Sequence, residues 1–356
     1  MNLPVSSTPG LLSPAPFDLA QTLDCGQAFR WIQLPSQEGL SLWEGVAFGS
    51  VLRLAQQGRQ VWFFCTRDLF DTLWRPYFDL DQDYETKRQA LSDMSPALRE
   101  AAAFAPGIRI LRQDPWEALC SFIISQNNHI PRIKGIIARL CQLLGDPISG
   151  ETSMSAPAGL PSEIPGENTS LLHPRDMTAQ APEAHPAGPV TASSQPWVPG
   201  KNSPPLHPRD MTAQALGLGY AFPRAEALAA CSLEDLAPLR AGFRAKYLLD
   251  AARKVVSGQV DLDRIARSPA EWGRQELQKI FGVGPKVAEC VLLYGFHKTE
   301  CFPMDLWMKR AMATLLPGRS PQEFGENAGL AQQYLFHYSR LHPELFSSAS
   351  PRKKSN

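Results

Sequence analysis

The sequence predicts an α+β fold, an N-terminal antiparallel β-sheet domain packed on an all-helical domain, and three observations predict it. Residues 17–113 carry short apolar or alternating runs between glycines and polar turns, such as Ser50-Val51-Leu52-Arg53-Leu54 and Gln60-Val61-Trp62-Phe63-Phe64, which is the period of strands. From residue 114 onward the apolar spacing becomes helical. Between 146 and 214 the composition shifts to Pro, Ser, Gly, Ala and Thr, which cannot bury enough surface to offset chain entropy and reads as a disordered insertion.

Taken in order, residues 1–16 form a flexible tail and 17–113 the sheet domain, with a helical stretch over 85–104. Residues 114–145 hold the first helices of the second domain, over 115–125 and 130–144. Inside the insertion, ten residues starting at Leu172 recur identically from Leu206, 34 positions on; two copies make a local duplication, not a solenoid. The helical domain resumes over 215–341, with helices at 232–239, 245–256, 269–280, 285–294, 306–315 and 328–340, and residues 342–356 form a second tail.

Composition narrows the function classes. The 356 residues are enough for two domains, and 44% are hydrophobic, enough for real cores. No run of eighteen apolar residues exists, and the first residues carry Pro and Ser in place of a basic-then-apolar leader, so an intracellular protein without membrane contact is expected. Seven scattered cysteines, none in a CxxC pair, read as free buried thiols and not as a disulfide framework or zinc site. The formal net charge is zero, yet residues 215–356 hold 19 Lys/Arg against 14 Asp/Glu. Any attraction for phosphate is concentrated there.

The most informative stretch runs from Glu276 to Cys290, where two helical patterns flank Gly282-Val283-Gly284. Glycines allow a tight turn with positive φ and leave no Cβ between backbone and ligand. Pro285 suits a first helical turn, whose unpaired N–H groups can hold a phosphate oxygen directly or through a bound cation. A plain helix-turn-helix corner accounts for the glycines equally well.

With the loop Cys301-Phe-Pro-Met-Asp305 placed 19 residues beyond Lys286 at its Asp, the segment resembles the hairpin of the helix-hairpin-helix (HhH-GPD) superfamily of DNA glycosylases. Members with a lysine at the position of Lys286 are similar to bifunctional enzymes, which remove the base and then nick the strand. The resemblance implies Lys286 as nucleophile at C1′ and Asp305 as the carboxylate beside it. A lysine amine attacks only when neutral, which calls for a partly desolvated or electropositive pocket. Asp305 stands where a helix N-cap belongs, stays ionised by accepting N–H bonds, and can stabilise a cationic sugar.

Over nearly the whole chain apart from the insertion and tails, the sequence is similar to the 8-oxoguanine glycosylase branch. In Cys25-Gly-Gln-Ala-Phe-Arg-Trp31, the resemblance implies that the Gly26 carbonyl accepts from the N7–H that oxidation adds to guanine. It implies that Gln332 reads the Watson–Crick edge of the extruded base, and that Phe336 and Cys290 cover its two faces. It further implies that Asn127 fills the vacated space, that Arg132 and Arg244 read the orphaned cytosine, and that Phe243 wedges into the duplex. The hairpin contacts the backbone through Gly282, Val283 and Gly284.

Four positions depart from that pattern: Trp307 for a His, Ser339 for its acidic partner, Phe281 for the hairpin Pro and Phe243 for a Tyr. The paired change at Trp307 and Ser339 suggests a compensated variant. The implied activity is removal of 8-oxoguanine opposite cytosine from duplex DNA, by a monomer through a lysine Schiff base with β-elimination. No metal or cofactor is required, although a monovalent cation can sit at the Gly282 turn. The active cleft should lie between the two domains, with the hairpin at its mouth. Two alternatives stay open: a glycosylase for another damaged purine, and a non-catalytic DNA-binding module. Against the adenine- and pyrimidine-specific relatives, no cysteine follows Cys301 to build an iron–sulfur cluster.

Overall fold

The structure, a computed structural model, describes residues 10–36, 38–148 and 217–349, which fall in one structural unit. The insertion expected over 146–214 lies outside the described residues from 149 on, its duplicated segment included.

The expected sheet is present, with five antiparallel strands in the order β1-β5-β4-β3-β2. They are β1 (Leu11–Leu12), β2 (Trp31–Leu34), β3 (Leu40–Ala47), β4 (Ser50–Gln57) and β5 (Gln60–Phe64). Phe48 and Gly49 both take positive φ, 51° and 70°, between the paired ends Ala47 and Ser50, which matches the right-handed strand twist at a two-residue hairpin. Within the tail expected over 1–16, Leu11 and Leu12 form β1 and pair with Phe63 and Trp62.

The sheet is not the whole of the N-terminal part. A short helix α1 (Leu19–Leu23), capped by the Asp18 carboxylate, precedes β2. After β5 the chain turns through α2 (Arg67–Leu69), a π-type turn (Phe70–Trp74) and α3 (Arg75–Tyr77). Phe63, Phe70, Trp74 and Phe78 close this core with Trp31 and Leu52. The helix expected over 85–104 is two: α4 (Tyr84–Met94) and α5 (Pro96–Phe104). Pro96 forces Ser95 into extended backbone, and its hydroxyl accepts from Leu98 N at 3.1 Å as the new cap.

The helical part follows as α6 (Pro115–Ser125), α7 (Ile130–Leu144), α8 (Ala225–Ala229), α9 (Arg244–Val256), α10 (Leu262–Arg267), α11 (Ala270–Leu277), α12 (Pro285–Tyr294), α13 (Leu306–Leu315) and α14 (Ala328–Leu341). The stretch 232–239 is a Ser232–Asp235 capped turn with 3-10 helix only at Ala237–Leu239. The tail expected over 342–356 begins with a 3-10 segment, Pro343–Ala349. One apolar cluster joins α6, α7, α9 and α12; a second joins α4 and α5 to α13 and α14. α4 and α5 thus pack on the last helices. No helix among the described residues is long and apolar enough to cross a membrane.

Polar contacts stitch the sheet to the helices. Buried Gln27 accepts from Leu111 N at 2.9 Å and donates to the Arg109 carbonyl at 2.8 Å. Lys134 of α7 donates to the Trp31 carbonyl at 2.9 Å. Asp79, 3% exposed, gathers Tyr84, Arg112 and His297 around its carboxylate. Such satisfied buried polar groups fix how the layers sit.

Candidate active site

The hairpin owes its geometry to α9. Phe281 N donates to Asp250 Oδ2 at 2.6 Å, and Val283 N closes the turn on the Ile280 carbonyl at 3.0 Å. Gly282 sits at φ 82°, pressed on the Tyr247 ring: a Cβ there would fall 2.4 Å from Tyr247 Cδ2. A Cβ on Gly284 would meet nothing within 4 Å. Gly284 caps α12 without a side chain and Pro285 takes its first turn, so the hairpin presents bare backbone at the helix start.

Lys286 is the second residue of α12, half-buried, its ammonium 5.9 Å from the centroid of the Phe122 ring. Phe122 in turn stacks on Tyr294, centroids 5.3 Å apart and planes at 20°. Lys286, Cys290 and Tyr294 follow at intervals of four, on one helix face. Burial pushes the Cys290 thiol up; the Lys286 ammonium opposes that shift and the Asp305 carboxylate adds to it. Both charges therefore act on one sulfur.

Asp305 caps α13, with Oδ1 accepting from Met308 N at 2.8 Å. Its loop is tied back to α12 because Phe302 N donates to Glu289 Oε2 at 2.8 Å, while Arg274 holds the other Glu289 oxygen. Glu289, three residues after Lys286, was not singled out in the sequence, where it reads as an ordinary helix surface carboxylate.

The base-pocket candidates divide into two groups. Gly26 has φ 89°, and a Cβ on it would lie 3.8 Å from Phe336 Cε1, so those two residues adjoin. Gln332 is buried, its Oε1 accepting from the Tyr294 hydroxyl at 3.3 Å, while Gln333 donates to that hydroxyl. Burial raises the Tyr294 hydroxyl, and Cys290 and Cys25 add to the rise. Tyr294 thus links the Lys286 face of α12 with α14. Its place in the Lys286, Cys290, Tyr294 series was the available sequence signal, as the i+4 pairing was for Gln332 and Phe336.

Asn127 is exposed in the loop between α6 and α7, held at φ 46°, a conformation uncommon outside glycine. Arg132 is exposed one turn into α7. Arg244 differs from expectation: it is 3% exposed, and its guanidinium donates to the Gln126 carbonyl at 2.9 Å and the Asn127 carbonyl at 3.0 Å. Burial lowers it, with the Arg132 charge adding. Here it clamps the loop that carries Asn127 instead of offering its donors outward. Phe243 is 46% exposed, under the Arg244 guanidinium at 4.4 Å.

Trp307 and Ser339, the paired departures, are in contact. The indole donates to Ser339 Oγ at 3.0 Å, and Trp307 packs on Phe346. Among the described residues no group of His, Cys, Asp and Glu could hold a metal ion.

Residues 11–119 match the 8-oxoguanine DNA glycosylase N-terminal domain family. The structure of MBOgg1 in complex with a low affinity DNA ligand superposes with a TM-score of 0.70 at 32% identity, covering 96% of this chain and 99% of that one. The Clostridium acetobutylicum 8-oxoguanine glycosylase/lyase, in complex with duplex DNA containing cytosine opposite 8-oxoG, gives 0.67 at 29% identity over 94% and 98%. The N-glycosylase/DNA lyase of Saccharomyces cerevisiae is 27% identical over 321 residues, 82% of this chain. The matches span 33% to 66% of the lengths of four curated relatives.

Proposed function

Because the chain belongs to the 8-oxoguanine glycosylase family of helix-hairpin-helix enzymes, we propose that it excises 8-oxoguanine opposite cytosine from duplex DNA and then nicks the strand, acting as a monomer inside the cell. What supports this reading is the placement of Lys286 in the first turn of α12, just behind the open hairpin, and of Asp305 as the cap of α13, whose loop is tied to α12 through Glu289.

In this mechanism the base is extruded between Cys290 and Phe336, with Gln332 toward its Watson–Crick edge and the Gly26 carbonyl accepting from N7–H. The neutral Lys286 amine bonds to C1′ as the C1′–N9 bond breaks, and the base leaves with the electron pair and takes up a proton. Positive charge builds on the sugar, where the Asp305 carboxylate stabilises it. The C1′–O4′ bond then opens, O4′ is protonated and the lysine imine forms. Loss of a C2′ proton expels the 3′ phosphate, and water hydrolyses the imine to free Lys286. The Phe122 ring below and the buried Cys290 beside the amine limit water around it.

Arg132, Asn127 and Phe243 serve the gap left by the base. Arg244 joins them once the DNA displaces the loop carbonyls it now holds. At the hairpin, Gly282, Val283 and Gly284 approach a phosphate, directly or through a monovalent cation held by the turn's carbonyls. The open Cβ position of Gly284 supports that approach.

Borohydride should trap the chain covalently on a duplex containing 8-oxoguanine opposite cytosine, and Lys286→Gln should abolish trapping. Undiminished trapping in that variant would remove Lys286 from the mechanism. Equal trapping on duplexes with other damaged purines would remove the substrate assignment.

A further inference from the structure

We propose that Phe281 is a DNA-contacting residue whose exposed ring stacks on the nucleotide next to the phosphate held by the hairpin, a contact separate from the backbone N–H groups. The inference rests on duplex DNA as substrate. Phe281 is 56% exposed although it adjoins Gly282 at the turn. Its position is fixed from both sides: its N–H is bound by Asp250, itself held by Lys254 at 2.9 Å, and its ring meets Tyr247 edge-on at 5.1 Å. Tyr247 makes a second edge contact, at 5.5 Å, with Phe243, the other exposed ring of this surface.

The row Phe243, Tyr247, Phe281 therefore runs from the wedge position to the hairpin, with both outer rings facing solvent. Two exposed rings on rigid backbone leave apolar area in water that only a partner covers. The charge at the ring selects the partner: the Lys246 ammonium stands 5.3 Å over Phe281, whereas the adjoining cavity of about 600 Å³ is charge-balanced, Lys246 and Arg253 facing Glu234 and Asp250. An ammonium beside an exposed ring matches a nucleotide, with its phosphate next to a flat sugar and base.

The test uses the full chain and duplexes with and without a stable abasic analogue, titrated by fluorescence anisotropy over a salt series. Phe281→Ser should weaken binding roughly tenfold at every salt concentration, with Phe281→Leu in between. The slope of log affinity against log salt should stay unchanged, whereas Lys246→Ala should lower its magnitude by about 0.9. The urea midpoint of Phe281→Ser should equal that of wild type. Wild-type affinity in Phe281→Ser overturns the inference and assigns the ring to a protein partner. A loss with a lowered salt slope also overturns it, because the ring would then only place Lys246. If instead the enzyme assignment fails, lesion dependence vanishes in wild type while the Phe281 effect on undamaged duplex persists.

Discussion

Gly282→Ala separates what the hairpin needs for folding from what it needs for DNA. At φ 82° an alanine carries the left-handed penalty of about 1 kcal/mol. Its Cβ would lie 2.4, 2.5 and 2.6 Å from three atoms of the Tyr247 ring, well inside the roughly 3.5–4.0 Å of a relaxed contact. The ring must move by about 1 Å while it touches Phe243 and Phe281, an overpacking cost of about 1–3 kcal/mol. A total loss of about 2–4 kcal/mol should appear as a lower urea midpoint at unchanged m. Gly284→Ala is the control: φ is −91° and nothing stands within 4 Å of the added Cβ, so the cost stays below about 1 kcal/mol, the difference of an alanine cap. Its duplex affinity should nevertheless fall at least about tenfold, because the methyl stands between backbone and phosphate. Gly282→Ala within about 0.5 kcal/mol of wild type would refute the packing account. Wild-type affinity in Gly284→Ala would refute the open face as the phosphate contact.

Three further predictions follow from single contacts. Asp305→Asn keeps a capping oxygen for Met308 N and should unfold within about 0.5 kcal/mol of wild type, yet lose at least about a hundredfold in single-turnover base release with the sugar's counter-charge gone; equal rates would make Asp305 a cap alone. Arg244→Lys cannot hold the Gln126 and Asn127 carbonyls with one planar fork; amide exchange over 126–129 should rise, and unchanged protection would show that the clamp is dispensable. Burial opposes ionisation of Asp79, but its His297 and Arg112 partners prevail and hold it at about 2 against an ordinary 3.8. The unfolded chain binds the proton more readily, so this stabilisation is complete above about pH 5 and is lost as pH falls toward 2. That amounts to about 2 kcal/mol, absent in Asp79→Asn; parallel acid titrations of the two proteins would contradict it.

Local patterns in the chain determined the ends of α6, α7, α12 and α13, because caps and proline positions are written in adjacent residues. The hairpin glycines, Lys286 and Asp305 were legible for the same reason, their spacing being a property of one short segment. Ser95-Pro96 was equally local, and there the proline overrode a continuous helical period. α1, α8 and α10 are too short for periodicity to register, and their stability comes from what they pack against. Arg244 illustrates the other limit. Its neighbours in sequence place it beside the wedge proposed at Phe243, but the carbonyls it holds lie 118 and 117 residues away, so only the packed chain decides its present partners. Phe122 and Glu289 belong with it: Phe122 meets Lys286 from α6, and Glu289 ties the Asp305 loop back to α12. The sequence by itself determined which groups are candidates for the chemistry, since reactivity belongs to residue type and near spacing; tertiary structure decided how they are oriented, held and shielded, since those depend on contacts between segments that no local pattern encodes.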